Sequence, residues 1–339
     1  MVKIGNTCSE STTVDSGFPQ GSVLGGLKYT MYTTPLDKLI VAHLVNHEDY
    51  ADDTNLYMSF NLRSPADTAE TVTRMENCLT DVETWMLRNR LKLNRKKTEV
   101  VVFVPPRQKS IDFLPTSVKV ANLQIPVATH FKSLGVILDK HMTMTKQVNS
   151  TSKSAFFHLR KISKARNYFD REITKTLVSS LVTSRLDYCN SLLCLLPKRT
   201  TRKLQCAQNA AAKTIFLAGR RTHVTPLLKQ LHWLPVIYRS MFKVLVLTYK
   251  AVSGMAPEYL TDLITEYQPT RNLRSSNERL LVHPRIQRNN YGCRAFCNVS
   301  PSMWNKLPAA VRKVETLAEF KSKLKSHFFI EHFGSHLNN

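Results

Sequence analysis

The 339-residue sequence predicts an α+β protein, with an antiparallel hairpin between helices in its first part and mostly helices in the remainder. Three observations support this fold class. Short apolar-rich runs flank the Tyr-Ala-Asp-Asp segment at residues 50–53, which is typical of a β-hairpin. Apolar residues recur at three- and four-residue steps before and after that hairpin, which indicates helices. From Thr143 onward the helical pattern predominates, so the second half is expected to be all-α.

The predicted hairpin carries two adjacent carboxylates at its tip, those of Asp52 and Asp53. Mg²⁺ binds one or two protein carboxylates and completes its shell with water and substrate phosphates. Enzymes that join nucleotides through two metal ions hold those ions roughly 3.5–4 Å apart. Because neighbouring residues of a strand point in opposite directions, a further carboxylate from another strand is expected. An isolated Asp-Asp pair is also typical of a solvated turn, so the pair alone leaves both interpretations open.

Two amphipathic helices are predicted around the hairpin, over residues 22–40 and 65–90. Pro35 is expected to kink or interrupt the first helix. The apolar positions expected to form its buried face are Val23, Leu24, Leu27, Met31, Leu36, Leu39 and Ile40. The expected buried stripe of the second helix consists of Ala69, Val72, Met75, Leu79, Val82 and Met86.

Four further strand segments are predicted from short β-branched and aromatic runs, at residues 11–14, 99–104, 118–120 and 131–138. The run at 99–104 is expected to be buried. Prolines between residues 105 and 115 predict a loop that separates it from the next strand.

Beyond residue 143, helices are predicted over residues 144–169, 200–217 and 236–252. The first of these has a basic face beside an apolar one. Asp170 is expected to cap the helix that follows it. Thr316 and Glu319 form a capping-box pattern that should open the last helix, over residues 317–329.

The net charge of +23 is distributed unevenly along the chain. Residues 1–60 contain three basic and seven acidic residues, whereas residues 151–339 contain 31 basic and ten acidic ones. A basic region attached to an acidic, metal-type motif suits a protein that binds polyphosphate, because neutralised phosphates release counterions. A generally basic surface that favours solubility or contacts polyanions loosely explains the charge equally well.

The sequence carries seven cysteines, an odd number without paired spacing, and no signal peptide is recognisable at its start. An intracellular location, nuclear or cytoplasmic, is therefore expected rather than secretion. The longest apolar-rich stretches, such as residues 241–247, fall far short of the ~20 residues of a membrane span. No membrane association is expected.

The Gly-Phe-Pro-Gln-Gly-Ser motif at residues 17–22, together with Tyr-Ala-Asp-Asp, resembles the reverse transcriptases of non-long-terminal-repeat (LINE-type) retrotransposons, especially the CR1/L2-like and jockey-like branches. The resemblance extends over nearly the whole chain. Its further motifs are Leu-Lys-Leu-Asn at 91–94, Lys-Thr-Glu at 97–99, Leu-Gly-Val at 134–136, His-Trp-Leu-Pro at 232–235 and Trp-Asn-Lys-Leu-Pro at 304–308.

This resemblance implies an RNA-directed DNA polymerase that binds an RNA template and a DNA primer and uses Mg²⁺. It implies a partial polymerase palm over residues 1–140, a basic helical thumb over 141–230 and a mostly helical carboxy-terminal region over 231–339. By resemblance, Asp52 and Asp53 are the catalytic and metal-binding residues. The residues expected near nucleotide or template are Gln20, Gly21, Ser22, Tyr50 and Lys97, and those expected to grip the primer are Leu134 and Gly135.

The sequence also departs from the family pattern. Family members carry a first catalytic Asp on a strand well before the Pro-Gln-Gly turn, and only sixteen residues precede Gly17 here. We therefore expect an amino-terminally truncated element, with one metal-binding carboxylate missing and catalysis impaired. Asp49 stands where the family has a large apolar residue. A non-catalytic nucleic-acid-binding protein and a non-functional relic of the element are the alternatives.

Overall fold

The computed structural model describes residues 3–10, 22–105, 112–269, 278–284 and 292–334. Its strands are β1 (Lys3–Ile4), β2 (Thr7–Cys8), β3 (Asn46–Tyr50), β4 (Asp53–Tyr57), β5 (Ser117–Val120), β6 (Leu123–Pro126), β7 (His130–Ser133) and β8 (Val136–Asp139). Its helices are α1 (Gly25–Ala42), α2 (Pro65–Arg88), α3 (Thr145–Ala165), α4 (Arg171–Val178), α5 (Ser184–Asp187), α6 (Lys198–Phe216), α7 (Thr225–Gln230), α8 (Val236–Val252), α9 (Glu258–Thr261), α10 (Phe296–Trp304), α11 (Ala309–Arg312) and α12 (Leu317–Phe333).

The predicted α+β class is confirmed, since short antiparallel pairs of strands alternate with many helices. Within the described ranges the strands pair as four separate hairpins, β1–β2, β3–β4, β5–β6 and β7–β8, and no larger sheet joins them. The strand predicted at residues 11–14 lies outside the described residues. No helix in the described ranges is both long and apolar enough to cross a membrane.

The chain divides into two compact units. The first contains Met1–Val102 and Gln108–Ala128, and the second contains Phe103–Arg107 and Thr129–Asn339. The division at residues 140 and 230 into three functional domains stays a prediction.

In the first unit, α1 begins close to the predicted start and runs without interruption through Pro35. The expectation that this proline interrupts the helix is therefore wrong. Only the second half of α1 packs into a core, where Leu36 and Ile40 are buried with Val45. The expected single buried face is therefore only half formed. The apolar residues just before α1 and in its first half are exposed, namely Val23, Leu24, Leu27 and Met31.

Helix α2 confirms the second predicted helix, and its start has a clear local cause. The Ser64 side chain accepts a hydrogen bond from the Asp67 backbone N–H at 3.2 Å, and Pro65 occupies the first turn. The predicted buried stripe is partly wrong, because Ala69 is exposed while Thr68 and Cys78 are buried. Val82 is buried as predicted, and Met75 and Met86 pack against the same core.

The prediction of a buried strand at residues 99–104 is wrong. Val100 makes only an isolated parallel bridge with Val127, and the neighbouring residues are half-buried or exposed. The runs at 118–120 and 131–138 do form strands, and the second run is the hairpin β7–β8. A β-branched run becomes a strand only where a partner backbone is available to pair with it.

In the second unit, the predicted helices are confirmed with small shifts of their ends, and the helix at 236–252 has its predicted limits. The caps also form as expected: Asp170 accepts from the Ile173 N–H at 2.7 Å, and Thr316 accepts from the Glu319 N–H at 3.2 Å. A buried carboxylate that sequence analysis missed, that of Asp139, accepts from the Met144 N–H at 2.8 Å and leads β8 into α3.

The carboxy-terminal part of the second unit has an aromatic core formed by α8, α10 and α12. Trp304, Tyr249 and Phe320 are each fully buried there. The rings of Tyr249 and Phe320 stack with their centroids 4.4 Å apart, and the centroid of Trp304 lies 5.7 Å from that of Phe320. Such aromatic burial is a large source of stability.

Candidate active site

The hairpin predicted around residues 50–53 is present. Tyr50 pairs with Asp53 in the antiparallel register of β3 and β4, so Ala51 and Asp52 form a two-residue turn. Ala51 has a φ of 56°, in the left-handed region. Asp52 and Asp53 are both exposed at this tip.

Replacing Ala51 by Gly is expected to raise the free energy of unfolding by about 0.5–1 kcal/mol, because a left-handed conformation is costly for a residue with a Cβ atom. The greater freedom of glycine in the unfolded chain offsets part of the gain. Urea denaturation measures the change. Ala69→Gly on the exposed face of α2 is the control, with an expected loss of about 1 kcal/mol. Equal losses from both substitutions would contradict the strained turn.

A cleft of about 460 Å³ lies between this tip and the start of α1. Its lining residues are Gly25, Gly26, Tyr29, Thr30, Ala51 and Asp52. Beyond the helix's own backbone, no heavy atom of the described residues lies within 4 Å of the position a Cβ atom would take on Gly26. Asp52 lines this cleft and Asp53 does not. The two neighbouring carboxylates therefore have different surroundings.

The electrostatics of the cleft are negative. Burial raises the pKa of the Tyr29 phenol above its ordinary value, and the carboxylates of Asp52 and Asp49 raise it further. A phenolate would be repelled by these negative charges, so Tyr29 stays a neutral hydrogen-bonding group. Sequence analysis missed Tyr29, although it lies one helical turn after Gly25 and Gly26.

The hairpin tip is suited in part to a hard divalent cation. It offers exposed carboxylate oxygens in a negative cleft, which are the ligands that Mg²⁺ prefers. Within the described ranges, no third carboxylate, histidine or cysteine forms a ligand cluster with Asp52 and Asp53. Water and substrate phosphates would have to supply the other ligands.

The other predicted site residues lie in several places. Ser22 is exposed just before α1, and its carbonyl accepts from the Gly25 N–H at 3.1 Å. Gln20 and Gly21 lie outside the described residues. Tyr50 is exposed at the end of β3. Asp52 therefore lines the cleft, and Ser22, Tyr50 and Asp53 lie close in sequence to residues that line it.

Lys97 lies in a separate turn of the first unit and is not among the residues that line the cleft. Its backbone N–H donates to the Asn94 carbonyl at 2.9 Å. The same turn is anchored by Arg95, whose Nε donates to the buried carboxylate of Glu83 on α2 at 2.6 Å. Lys97 is thus held on a fixed turn, with its side chain exposed.

Replacing Arg95 by Ala is expected to lower the free energy of unfolding by about 2 kcal/mol, because it leaves the Glu83 carboxylate buried and unpaired. The Glu83 side chain is only 8% exposed, and its Oε2 has no hydrogen-bond partner among the described residues. Urea denaturation measures the loss. Combining Arg95→Ala with Glu83→Leu should restore most of the stability. No recovery in the double variant would show that the guanidinium acts through packing instead.

Leu134 and Gly135 form the tip of β7–β8 in the second unit, with φ values of 45° and 82°. The Tyr188 hydroxyl donates to the Leu134 carbonyl at 2.5 Å, and its ring would lie 3.5 Å from a Cβ atom on Gly135. Glycine at this position suits its positive φ, whereas the ring would make only an ordinary van der Waals contact with a Cβ atom. The predicted primer-grip residues are part of a well-defined hairpin.

The hairpin at residues 50–53 lies in a segment that is similar to known proteins. Residues 1–138 match the family model described as reverse transcriptase (RNA-dependent DNA polymerase). The chain is 27% identical over 182 residues to the probable RNA-directed DNA polymerase from transposon BS of Drosophila melanogaster, covering 52% of this chain and 19% of that protein. It is 27% identical over 149 residues to the probable RNA-directed DNA polymerase from transposon X-element of the same species, covering 43% and 15%. No solved structure matches the chain significantly.

The amino-terminal part of the chain, which contains the two-carboxylate hairpin, is therefore similar to reverse transcriptases. The transposon relatives agree with the resemblance to reverse transcriptases of non-long-terminal-repeat retrotransposons that the motifs predicted. The chain spans less than a fifth of the length of these relatives.

Proposed function

We propose that this chain takes part in RNA-directed DNA synthesis, binding an RNA template and a DNA primer and joining nucleotides with Mg²⁺. The observation that carries the proposal is the pair of exposed carboxylates at the β3–β4 tip, one of which lines the cleft beside α1. Its position inside the segment that matches reverse transcriptases supports this assignment.

In this proposal Asp52 and Asp53 hold the metal ion. When bound, Mg²⁺ would stabilise the negative charge of the reacting phosphate oxygens. The open start of α1 would admit a nucleotide, because its glycines allow close approach and helix N–H groups attract phosphate. The remaining assignments are Gln20, Gly21, Ser22 and Tyr50 for nucleotide or template, Lys97 for phosphates, and Leu134 with Gly135 for the primer end.

Primer extension on a homopolymer RNA template tests this proposal. Incorporation above background that stops when the metal is chelated is the expected result. Because the described residues supply no third ligand at the tip, we expect the reaction to be slow. Incorporation equal to that of a reaction without protein would overturn the proposal.

Binding of nucleic acid without catalysis is a second candidate, and the surface of the second unit favours it. Helices α3 and α6 carry exposed lysines and arginines, and within the described part of the chain none of them forms an ion pair. The basic residues of α6 include Lys198, Arg199 and Arg202. Unpaired cations on neighbouring turns suit a phosphate backbone, which is bound without reading sequence.

Changing Lys198, Arg199 and Arg202 to Gln is expected to reduce the salt dependence of binding. The negative slope of log affinity against log salt concentration should become less steep by up to about 3. Fluorescence anisotropy with an RNA–DNA duplex measures the slope. The matched control changes Lys175, Lys313 and Lys323 to Gln. This variant loses the same charge, but its three lysines already pair with Glu172, Glu278 and Glu319. Equal slopes for the two triple variants would argue against binding through α6.

A further inference from the structure

Three potential metal ligands converge beside the hairpin in the first unit. They are Asp37 on α1 and His47 and Asp49 on β3, and one ligand atom of each lies within 4.8 Å of the others. His47 and Asp49 are two residues apart on a strand, so their side chains leave the same face. Sequence analysis did not select this set, because Asp37 is distant in sequence and joins it only through the packing of α1 beside β3.

The spacing of these atoms is close to that of a metal-binding triad. Ligand atoms bound to one Zn²⁺ lie about 2.0–2.2 Å from the ion and therefore roughly 3–4 Å from one another. The Nδ1 atom of His47 and Oδ2 of Asp49 lie 2.8 Å apart. A bound ion would replace this direct contact with two metal bonds, and Asp37 offers the third ligand atom within 4.8 Å of both.

The charge of the cluster also calls for a cation. Among the described residues, no lysine or arginine forms an ion pair with Asp37 or Asp49. The Asp49 carboxylate also helps to raise the pKa of Tyr29, and its own described partner is the His47 imidazole. The His47 side chain is 17% exposed and that of Asp49 is 37% exposed, so the set is held in place yet reachable from solvent.

We propose that Asp37, His47 and Asp49 bind a divalent transition metal of the Zn²⁺ class. An imidazole with two carboxylates suits Zn²⁺, whereas Mg²⁺ prefers oxygen ligands and keeps several waters. The site differs from the Asp52–Asp53 tip in residues and in ligand chemistry, and it does not rest on the proposed polymerase activity. Because one ligand is on α1 and two are on β3, the bound ion would fix the hairpin to the helix.

Isothermal titration of the full chain with Zn²⁺, under a non-thiol reductant, tests the site. Asp37→Asn and His47→Gln are each expected to weaken one saturable site at least about tenfold, since even changes outside the ligand set cost about 10–100-fold. Far-UV circular dichroism checks that both variants remain folded. Unchanged affinity in both variants, or the absence of a saturable site in the natural chain, would overturn the proposal.

The chain offers a matched control in His43, which pairs with Asp81 at 2.8 Å as His47 does with Asp49, but forms no three-ligand cluster in the described ranges. His43→Gln is expected to leave Zn²⁺ affinity unchanged. A loss in His43→Gln equal to that in His47→Gln would show that any His–Asp pair binds the ion. Displacement of Zn²⁺ by equimolar Mg²⁺ would overturn the assigned metal class.

Discussion

Replacing Asp52 by Asn is expected to lower the rate of primer extension at least about 100-fold. Changes in residues that only orient metal ligands already cost about 10–100-fold in metal affinity or activity, so loss of a ligand should cost more. The substitution keeps the shape of the side chain and removes the charge that the metal requires. Asp52 also lines the cleft beside α1, so it faces the space in which the proposed nucleotide would bind.

The charge-matched control is Glu48→Gln. Glu48 lies on β3 of the same hairpin, is exposed, and pairs across the hairpin with Asn55 away from the tip. This variant loses the same unit of charge and is expected to retain its rate within about twofold, since surface substitutions away from special features have small effects. Equal loss of rate in both variants would show that the general negative charge matters rather than Asp52.

Replacing Trp304 by Ala is expected to lower the free energy of unfolding of the second unit by about 4 kcal/mol, the upper part of the range for large-to-small core substitutions. Trp304 is fully buried among Tyr249 and Phe320. Its indole Nε1 donates to the Arg279 carbonyl at 2.6 Å, so the variant also leaves that carbonyl without this donor. Urea denaturation followed by far-UV circular dichroism measures the loss.

Ile330→Ala on α12 is the control for this core substitution. Ile330 is 69% exposed, so its truncation should change stability by less than about 0.5 kcal/mol. Similar losses from the two variants would mean that the aromatic cluster is not the stable centre of this unit. A loss confined to Trp304→Ala would locate the stability in the packed rings.

Local chemistry made several elements predictable. The hairpin at residues 50–53 follows from turn-forming aspartates between strand-forming runs, and Asp170 and Thr316 cap their helices through their own side chains. These interactions join residues within about five positions of each other. A pattern in the sequence therefore contains both partners of the interaction.

Other features could not be predicted because their partners are distant in the chain. The run at 99–104 has the composition of a strand but finds only the single bridge between Val100 and Val127. Val23 and Leu27 follow helical spacing, yet no described element covers them, so the first half of α1 stays exposed. Burial depends on which surfaces meet, and periodicity gives only the direction in which a side chain points.

The sequence by itself determined the α+β class, the presence of the main helices and their caps, and the carboxylate tip with its motifs, since these rest on short-range backbone preferences and side-chain chemistry. Only the tertiary structure decided which stripe of α2 is buried, that Tyr29 adjoins Asp52, and that Asp37 meets His47 and Asp49. Those contacts arise from packing between elements separated along the chain. Their geometry depends on the shape of a whole core, which no local segment encodes.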